Sequence, residues 1–304
     1  MGSGIAVAFL RAGTRTSLCA RRESSLEAAR SRIAASLDVL VEARELTSVD
    51  ARAALGRVVM TTSLEEAVLE ADLVIETIPE ELELKHEVLE RAEAAMRPDA
   101  ILATDTSSLR ITELAEPLER PEAFAGFHWF NPPELVELVE VVAGERTAPE
   151  TVRCLLGWAL AIGKRAIVVE RDVEGFVANR LQYALLREAY ALVESGICDY
   201  AAVDEALKAG LGARWAALGP FESMDLAGLD VHLAVVRRLF PDLANSTEAP
   251  HVVRRLVEEG ALGCKTGKGL YGDYEEGDVL GLVTRRARVL LTLARLRRGQ
   301  GHEP

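Results

Sequence analysis

The sequence predicts an α/β protein, with a doubly wound parallel sheet followed by an all-helical C-terminal domain. Over residues 1–172, short apolar strands alternate with helices whose apolar residues recur at helical spacing. From residue 178 onward only the helical spacing continues. Strands that alternate with helices are typical of a parallel sheet. We therefore place one domain in residues 1–172 and a second in residues 173–304.

The chain begins with the second half of a mononucleotide-binding βαβ unit. Residues 2–12 predict an amphipathic helix that Gly13 ends as a C-terminal cap, and Thr16–Cys19 predicts a short strand. In a Rossmann-type sheet the strand before this helix is central, and its turn carries the sequence GxGxxG. That first strand is missing from the sequence, so two strands of the sheet lose a ladder partner.

The following elements continue the alternation. Residues 26–58 predict a helical segment with a break near residues 47–48, and Val58–Thr61 predicts a strand. The polar residues 62–63 are suited to cap the next helix. Residues 166–170 predict the last strand before the chain crosses into the second domain.

Two buried strands end in polar clusters. Residues 72–76 lead into residues 77–80, and Ile101–Thr104 leads into residues 105–108. Ligands of an open α/β sheet bind outside the carboxyl ends of its strands. The sequence therefore predicts a ligand site at this edge.

Residues 124–142, FAGFHWFNPPELVELVEVV, predict two strands joined by a turn, because consecutive prolines at 132 and 133 exclude a continuous helix. A hairpin can bring His128 and Glu140 face to face. A carboxylate against an imidazole fixes its tautomer and stabilises imidazolium, so the pair can exchange a proton with a substrate near neutral pH. The alternative is a core histidine with its hydrogen bonds satisfied and a charged residue on an edge strand.

Six stretches follow one another in an order typical of one family. They are MGSGIA at 1–6, ATDTSSL at 103–109, HWFNP with LVEVV at 128–142, GFVANRL at 175–181, GPFESMDLAGLD at 219–230 and KTGKGLYGDY at 265–274. Together they resemble the L-3-hydroxyacyl-CoA dehydrogenase family, which includes 3-hydroxybutyryl-CoA dehydrogenase. The stretches 179–197 and 210–222 resemble more closely its lambda-crystallin and L-gulonate dehydrogenase branch.

This resemblance implies an oxidoreductase of fatty acid metabolism that transfers a hydride between a nicotinamide cofactor and C3 of a 3-hydroxyacyl-CoA. It implies His128 as the general acid and base at the hydroxyl, with Glu140 as its partner. Ser107 and Asn179 are expected to hold the substrate oxygens, and Ser107 also to face the cofactor. The alternative for Ser107 is a cap of the helix that follows.

The same resemblance implies which residues bind the cofactor. Against the family sequence GxGxMGxGIA, Gly2 matches the third glycine and Gly4 the small residue that follows. Glu80 and Lys85 are expected beside the nicotinamide ring and ribose, although a charged first helical turn explains Lys85 equally well. Because Met1 falls inside this motif, we expect a mis-called start codon or a truncated chain. The alternative is that the protein starts there.

Ala20-Arg21-Arg22 follows the first predicted strand and bears on cofactor choice. NAD sites usually carry an acidic residue here, which accepts from the ribose 2′-OH, whereas arginine accommodates a 2′-phosphate. Ala20 stands where the acid is expected, so we predict NADP over NAD. The alternative is a solvated arginine pair at the start of the next helix.

The helical segment at residues 26–58 bears on the substrate. In the family a basic residue there contacts the CoA phosphates, but this chain has no lysine before Lys85. Arg44, Arg52 or Arg57 are the candidates to replace it. The alternatives are a dehydrogenase of a free 3-hydroxy acid or an L-gulonate-like sugar acid, and a non-catalytic protein like the crystallins.

Composition and charge exclude several kinds of partner and of binding site. A net charge of −13 over 304 residues argues against nucleic acid or an anionic membrane as partner. The sequence has no apolar run long enough to span a bilayer and no signal peptide. Its four cysteines lack CxxC or metal-ligand spacing, so we expect a cytoplasmic, reduced protein without a metal site. Residues 279–298 predict a C-terminal helix that packs on a partner subunit in a homodimer.

Overall fold

The computed structural model describes residues 1–299 and contains two compact units. The first unit is Met1–Asn179, and the second begins at Arg180.

The first unit alternates strands and helices. Its strands are β1 (Thr16–Cys19), β2 (Val58–Thr61), β3 (Leu73–Glu76), β4 (Ile101–Thr104), β5 (Phe124–Trp129), β6 (Leu138–Val142) and β7 (Arg165–Val169). Its helices are α1 (Gly2–Arg11), α2 (Glu23–Glu42), α3 (Ser48–Gly56), α4 (Leu64–Val68), α5 (Leu82–Ala95), α6 (Ile111–Leu114) and α7 (Pro149–Ala161).

These strands form two sheets rather than one. Strands β1 and β2 pair in parallel with each other, and a separate sheet has the order β3-β4-β5-β6-β7. Among residues 1–299 no strand precedes α1, so none bridges β1 to β3. The described strands therefore form a two-stranded and a five-stranded sheet instead of one.

The larger sheet is mixed, as the predicted hairpin of residues 124–142 requires within an otherwise parallel sheet. Strands β5 and β6 are antiparallel, whereas the other neighbours are parallel. The short turn through residues 130–137 explains the difference, because a parallel pair needs a crossover of a dozen or more residues.

Helix α1 packs on this sheet through its apolar face. Ile5 and Ala8 join a buried cluster with Phe127 and Trp129 of β5 and Leu155 of α7. The helix starts at the carboxyl ends of the strands, where it has no acidic residue in its first turn and no side-chain cap. This start is the part of α1 that bears on the site.

The predicted break in the first helical segment is confirmed. Helix α2 ends at Glu42, and Thr47 caps α3 by accepting a hydrogen bond from the Asp50 N–H at 3.1 Å. The Ser63 hydroxyl caps α4 in the same way, accepting from the Glu66 N–H at 3.2 Å.

The second unit is helical except for one small hairpin. Its elements are α8 (Ala178–Glu194), which begins in the first unit, α9 (Tyr200–Glu205), a π-helical segment (Ala206–Gly212), α10 (Ala213–Trp215), α11 (Pro220–Ala227), α12 (Leu229–Leu239), α13 (His251–Glu258), β8 (Lys268–Gly269), β9 (Gly272–Asp273) and α14 (Glu276–Gly299). The two-residue strands β8 and β9 are a departure from the predicted all-helical domain.

Apolar burial within the second unit is sparse. In the described residues from Arg180 onward, only Ala261, Leu291 and Ala294 are buried hydrophobic residues. Helices α11, α12 and α13 contain no buried residue. No helix within residues 1–299 combines the length and the hydropathy that crossing a membrane requires.

Candidate active site

The β5–β6 hairpin sets His128 directly opposite Glu140, as the sequence predicts. His128 Nδ1 lies 2.7 Å from Glu140 Oε2, and the two residues are 4% and 0% exposed. Because an ionised carboxylate only accepts, the Nδ1–H must be the donor. The tautomer this implies leaves Nε2 as the nitrogen that can take a proton from a ligand.

The second oxygen of Glu140 is held by the start of α8. Oε1 accepts hydrogen bonds from the N–H groups of Val177 at 3.1 Å and Ala178 at 2.9 Å. Ala178 is the first residue of α8, so the carboxylate also lies at the positive end of a helix dipole. With three donors, both oxygens of the buried carboxylate have hydrogen-bond partners.

Two aromatic rings frame the imidazole. Phe130 and Phe176 each meet the His128 ring edge to face, at centroid distances of 4.6 and 5.4 Å. Phe176 is fully buried and has a φ of 49°, a left-handed conformation that turns the chain into α8. The same turn brings the N–H groups of Val177 and Ala178 to Glu140.

Glu80 fixes the loop that carries Ser107. Its Oε1 accepts from the Thr106 hydroxyl at 2.7 Å, the Ser107 N–H at 2.9 Å, and both the N–H and the hydroxyl of Ser108 at 2.8 and 2.9 Å. Burial alone would raise the pKa of Glu80, but these hydrogen bonds and the charge of Lys85 lower the pKa to about 2. Glu80 is therefore an ionised clamp on this loop.

The Ser107 hydroxyl forms no hydrogen bond within residues 1–299, while its carbonyl accepts from Asn179 Nδ2 at 3.4 Å. Ser107 and Asn179 thus meet, and the hydroxyl is open to a ligand. The alternative role as a helix cap is wrong for Ser107, because α6 begins at Ile111 with Arg110 as its N-cap.

Lys85 points into the fold. Its ammonium is 1% exposed and donates to both oxygens of Glu76 at 2.8 Å and to the Ile78 carbonyl at 3.3 Å. Its charge reaches the ligand edge through Glu80, whose Oε2 lies 3.4 Å away. Direct contact between Lys85 and a cofactor stays a prediction.

Comparison with known families identifies the family of the chain. Residues 1–173 match the family domain described as 3-hydroxyacyl-CoA dehydrogenase, NAD binding domain. Residues 175–273 match 3-hydroxyacyl-CoA dehydrogenase, C-terminal domain. The chain belongs to the 3-hydroxyacyl-CoA dehydrogenase family. The predicted resemblance, the oxidoreductase class and the nicotinamide cofactor are thereby confirmed.

Individual members of the 3-hydroxyacyl-CoA dehydrogenase family point to different substrates. The chain is 36% identical, over 300 residues covering 99% of it and 96% of the relative, to 5-formyl-3-hydroxy-2-methylpyridine 4-carboxylate 5-dehydrogenase from Mesorhizobium japonicum. A crystal structure of a 5-dehydrogenase for this pyridine acid, described as an NAD+ dependent dismutase, gives a TM-score of 0.91 at 36% identity, with coverage of 98% and 96%. A probable 3-hydroxybutyryl-CoA dehydrogenase from Bacillus subtilis is 35% identical over 277 residues, 91% of this chain and 94% of that protein.

The start of α1 fits the phosphates of the family cofactor. Its uncapped first turn leaves backbone N–H groups open to an anion. A Cβ on Gly2 would lie 3.0 Å from Thr77 Oγ1, and one on Gly4 would lie 2.5–2.9 Å from side-chain atoms of Pro133 and Glu134. Glycine at both positions allows the helix start to approach the carboxyl ends of the strands closely.

Ala20-Arg21-Arg22, the stretch predicted to select the cofactor, follows the first strand as expected. Strand β1 ends at Cys19, Ala20 follows, and α2 begins at Glu23 with Arg22 as its N-cap. The side chains of Arg21 and Arg22 are exposed, and neither forms a salt bridge with another residue in 1–299. Both arginines are open to a phosphate, and equally to solvent.

The arginines proposed to replace a CoA-binding lysine differ in availability. Arg57 donates from Nη2 to the Leu10 carbonyl at 2.7 Å, and its Nε is buried without a hydrogen bond in the described chain. Arg44 and Arg52 are exposed. Arg57 is therefore occupied by the end of α1, and only the other two face solvent.

Sequence reasoning missed several parts of the site. The N–H groups that hold Glu140, the two framing rings and the clamp role of Glu80 were all outside the expectations. One usable signal was present: Gly175-Phe176 precedes a helix, and helix starts bind carboxylates. The clamp left no such signal, because its hydrogen bonds join residues 26 to 28 positions apart.

Proposed function

We propose that this protein interconverts a 3-hydroxyacyl-CoA and the corresponding 3-oxoacyl-CoA, with His128 as the acid and base. The observation that carries the proposal is the buried His128–Glu140 pair, in which Nδ1 is committed to Glu140 and Nε2 is left for a substrate. The unbonded Ser107 hydroxyl beside Asn179 supports it, because a 3-hydroxyacyl group presents oxygens that need donors.

The protein groups account for the proton. In the oxidation direction the hydroxyl proton passes to His128 Nε2, while the C3–H bond breaks and its electron pair leaves as hydride. A bound nicotinamide supplies the acceptor for that hydride. Glu140 stabilises the imidazolium that forms, and the two N–H donors on its other oxygen keep the carboxylate in place. Ser107 and Asn179 orient the substrate oxygens.

A second candidate substrate is a free carboxylic acid with a hydroxymethyl or formyl group, or a hydroxy acid. Two observations favour it over a thioester. The pyridine-carboxylate dehydrogenase matches 99% of this chain, against 91% for the hydroxybutyryl-CoA enzyme. In addition, the helices expected to meet the CoA phosphates, α2 and α3, contain no lysine, and Arg57 is turned inward.

Two finer properties belong to the same proposal. We propose NADP as the preferred cofactor, supported by Ala20 in place of an acid and by the exposed Arg21 and Arg22. We also propose a homodimer formed through the second unit, supported by its exposed apolar helices. Leu229 and Leu233 lie on one face of α12 and are 61% and 48% exposed. An exposed apolar face of this kind is typical of a protein–protein contact.

One assay separates these possibilities. Reduced-cofactor oxidation is measured with acetoacetyl-CoA, with free acetoacetate, and with a formyl pyridine carboxylate, for the wild type and for His128→Gln. A thioester enzyme should favour acetoacetyl-CoA at least about 100-fold in kcat/KM, whereas the second candidate reverses that order. His128→Gln should lower kcat by about 10²- to 10⁴-fold on the active substrate. Equal turnover by the variant would end the proton-transfer proposal.

A further inference from the structure

The β4–β5 ladder stops before it reaches the dyad. Its last registered pair is Thr104 with Gly126, whereas β5 continues through His128 to Trp129. Strand β6 pairs with this extension on one side. On the β4 side the Trp129 N–H needs another acceptor, because Trp129 is 2% exposed and a buried N–H without a partner is costly.

Asp105 supplies that acceptor. Its Oδ1 accepts from the Trp129 N–H at 2.8 Å, and its own N–H donates to the Glu76 carbonyl of β3 at 2.8 Å. One residue therefore ties the ends of β3, β4 and β5 together, beside His128. A neutral oxygen would make the same hydrogen bond, so a carboxylate adds a negative charge that the ladder alone does not need.

Three packed elements present charged or titratable groups to Asp105. They are His128 from β5, Glu76 from β3 and the amino group of Met1 at the start of α1. Burial raises the pKa of Asp105 to about 7, although the Trp129 N–H, His128 and the amino group each lower it and Glu76 raises it. The charge on Asp105 therefore changes within the pH range in which a histidine works.

We propose that Asp105 is a positioning residue for His128, anchoring the end of β5 by its hydrogen bond and stabilising the imidazolium by its charge. The kinetic part of this proposal rests on the acid and base role of His128 proposed above. The charge effect does not rest on that role, because the charge acts on the imidazole whether or not a substrate is present.

Variants separate the hydrogen bond from the charge. Asp105→Asn keeps an oxygen acceptor for the Trp129 N–H and removes the charge, whereas Asp105→Leu removes both. Glu93→Gln is the matched control, since the Glu93 carboxylate accepts from the N–H groups of Glu119 and Arg120 at 2.8 Å each, ahead of the other end of β5. It tests the loss of a carboxylate that accepts from backbone N–H groups away from the dyad.

The first measurement needs no substrate. The ¹⁵N NMR spectrum of histidine-labelled, cofactor-free protein is recorded across pH, and His128 is assigned by its loss in His128→Gln. Removing a nearby negative charge disfavours imidazolium, so Asp105→Asn should move the His128 titration midpoint down by about 0.5 pH unit or more. Glu93→Gln should leave it in place. An unchanged midpoint in Asp105→Asn overturns the charge role.

The second measurement is turnover on the best substrate from the assay above. Below about pH 6, where Asp105 carries little charge, Asp105→Asn should stay within about threefold of wild-type kcat. Asp105→Leu should fall at least about tenfold, because a displaced acid loses alignment. Cofactor dissociation constants, measured by calorimetry, should change less than about twofold. Wild-type turnover by Asp105→Leu overturns the anchoring role.

Should no substrate react with the wild type, the proposed function fails while the NMR result still decides the charge role.

Discussion

Glu140 shows how much of the site depends on the atoms of one side chain. It receives three hydrogen bonds on two oxygens, from His128, Val177 and Ala178. Glu140→Gln is nearly isosteric, but its amide NH₂ must face at least one of these donors. It also cannot stabilise imidazolium as a carboxylate does.

We therefore expect Glu140→Gln to lower kcat by about 10²-fold or more and to shift the pH–rate profile. Thermal unfolding and the pH dependence of kcat should be measured on the same preparation. A lower melting temperature with an unchanged rate would show that Glu140 serves only the fold.

The same residues show what a sequence can and cannot reveal. The pairing of His128 with Glu140 was predictable because a Pro-broken turn between two apolar strands makes them pair as a hairpin. The role of Asp105 was not, since it depends on the ladder ending at Thr104 while β5 runs on. Phe176 was hidden for a similar reason: its left-handed φ of 49° is a property of the folded chain.

At the scale of elements, the loop after β4 depends on Glu80, which lies just before the N-cap of α5. Glu80 receives four hydrogen bonds from Thr106, Ser107 and Ser108, and its pKa is lowered to about 2. A carboxyl whose pKa falls on folding adds stability above its unfolded value, and that stability is lost as the pH falls through the folded value. For Glu80 the window runs from about pH 4.5 down to about 2.

Glu80→Gln should therefore melt at a lower temperature than the wild type above pH 4.5, and the difference should vanish towards pH 2. The loosened loop should also lower kcat about tenfold, because Ser107 loses its fixed position. Glu81→Gln is the matched control, as this neighbour is exposed and its side chain does not cap α5. Equal melting curves for both variants at neutral pH would contradict the clamp.

The connection from β1 to α2 carries the cofactor prediction. A charge-assisted hydrogen bond contributes about 1.5–3 kcal/mol, or roughly 10- to 150-fold in affinity. We expect NADPH to exceed NADH by at least about tenfold in kcat/KM. Ala20→Asp with Arg21→Ser should reverse the preference, and added salt should weaken NADPH more than NADH.

The competing candidate at this connection is Glu23, the first residue of α2. If Glu23 accepts from the ribose hydroxyl, the arginines point to solvent, and NADH and NADPH give comparable Michaelis constants. Steady-state kinetics with both cofactors distinguishes the two arrangements. Glu23→Gln adds a direct check. It should weaken NADH binding only if the Glu23 carboxylate accepts from the ribose hydroxyl.

At the scale of the molecule, the second unit buries only three hydrophobic residues within the described chain: Ala261, Leu291 and Ala294. Sedimentation equilibrium should give twice the chain mass for the wild type. Leu229→Glu with Leu233→Glu should give monomers, because charges placed on one face of α12 oppose burial. Leu160→Glu is the control, at a position 77% exposed on α7 of the first unit. A monomeric wild type would remove the dimer proposal.

The division of the expected sheet into two has a consequence for how the first unit opens. A two-stranded sheet is marginal by itself, so β1 and β2 depend on the helices packed around them, whereas β4 and β5 lie inside five strands. Amide hydrogens of β1 should exchange through a local opening well below the free energy of global unfolding. The dinucleotide predicted to bind at the start of α1 and the end of β1 should stabilise that opening unit more than the rest. Exchange protection at Leu18, whose N–H lies on the β2 side of β1 between those of Thr16 and Ala20, would then report cofactor occupancy, while the strands around the dyad stay protected throughout.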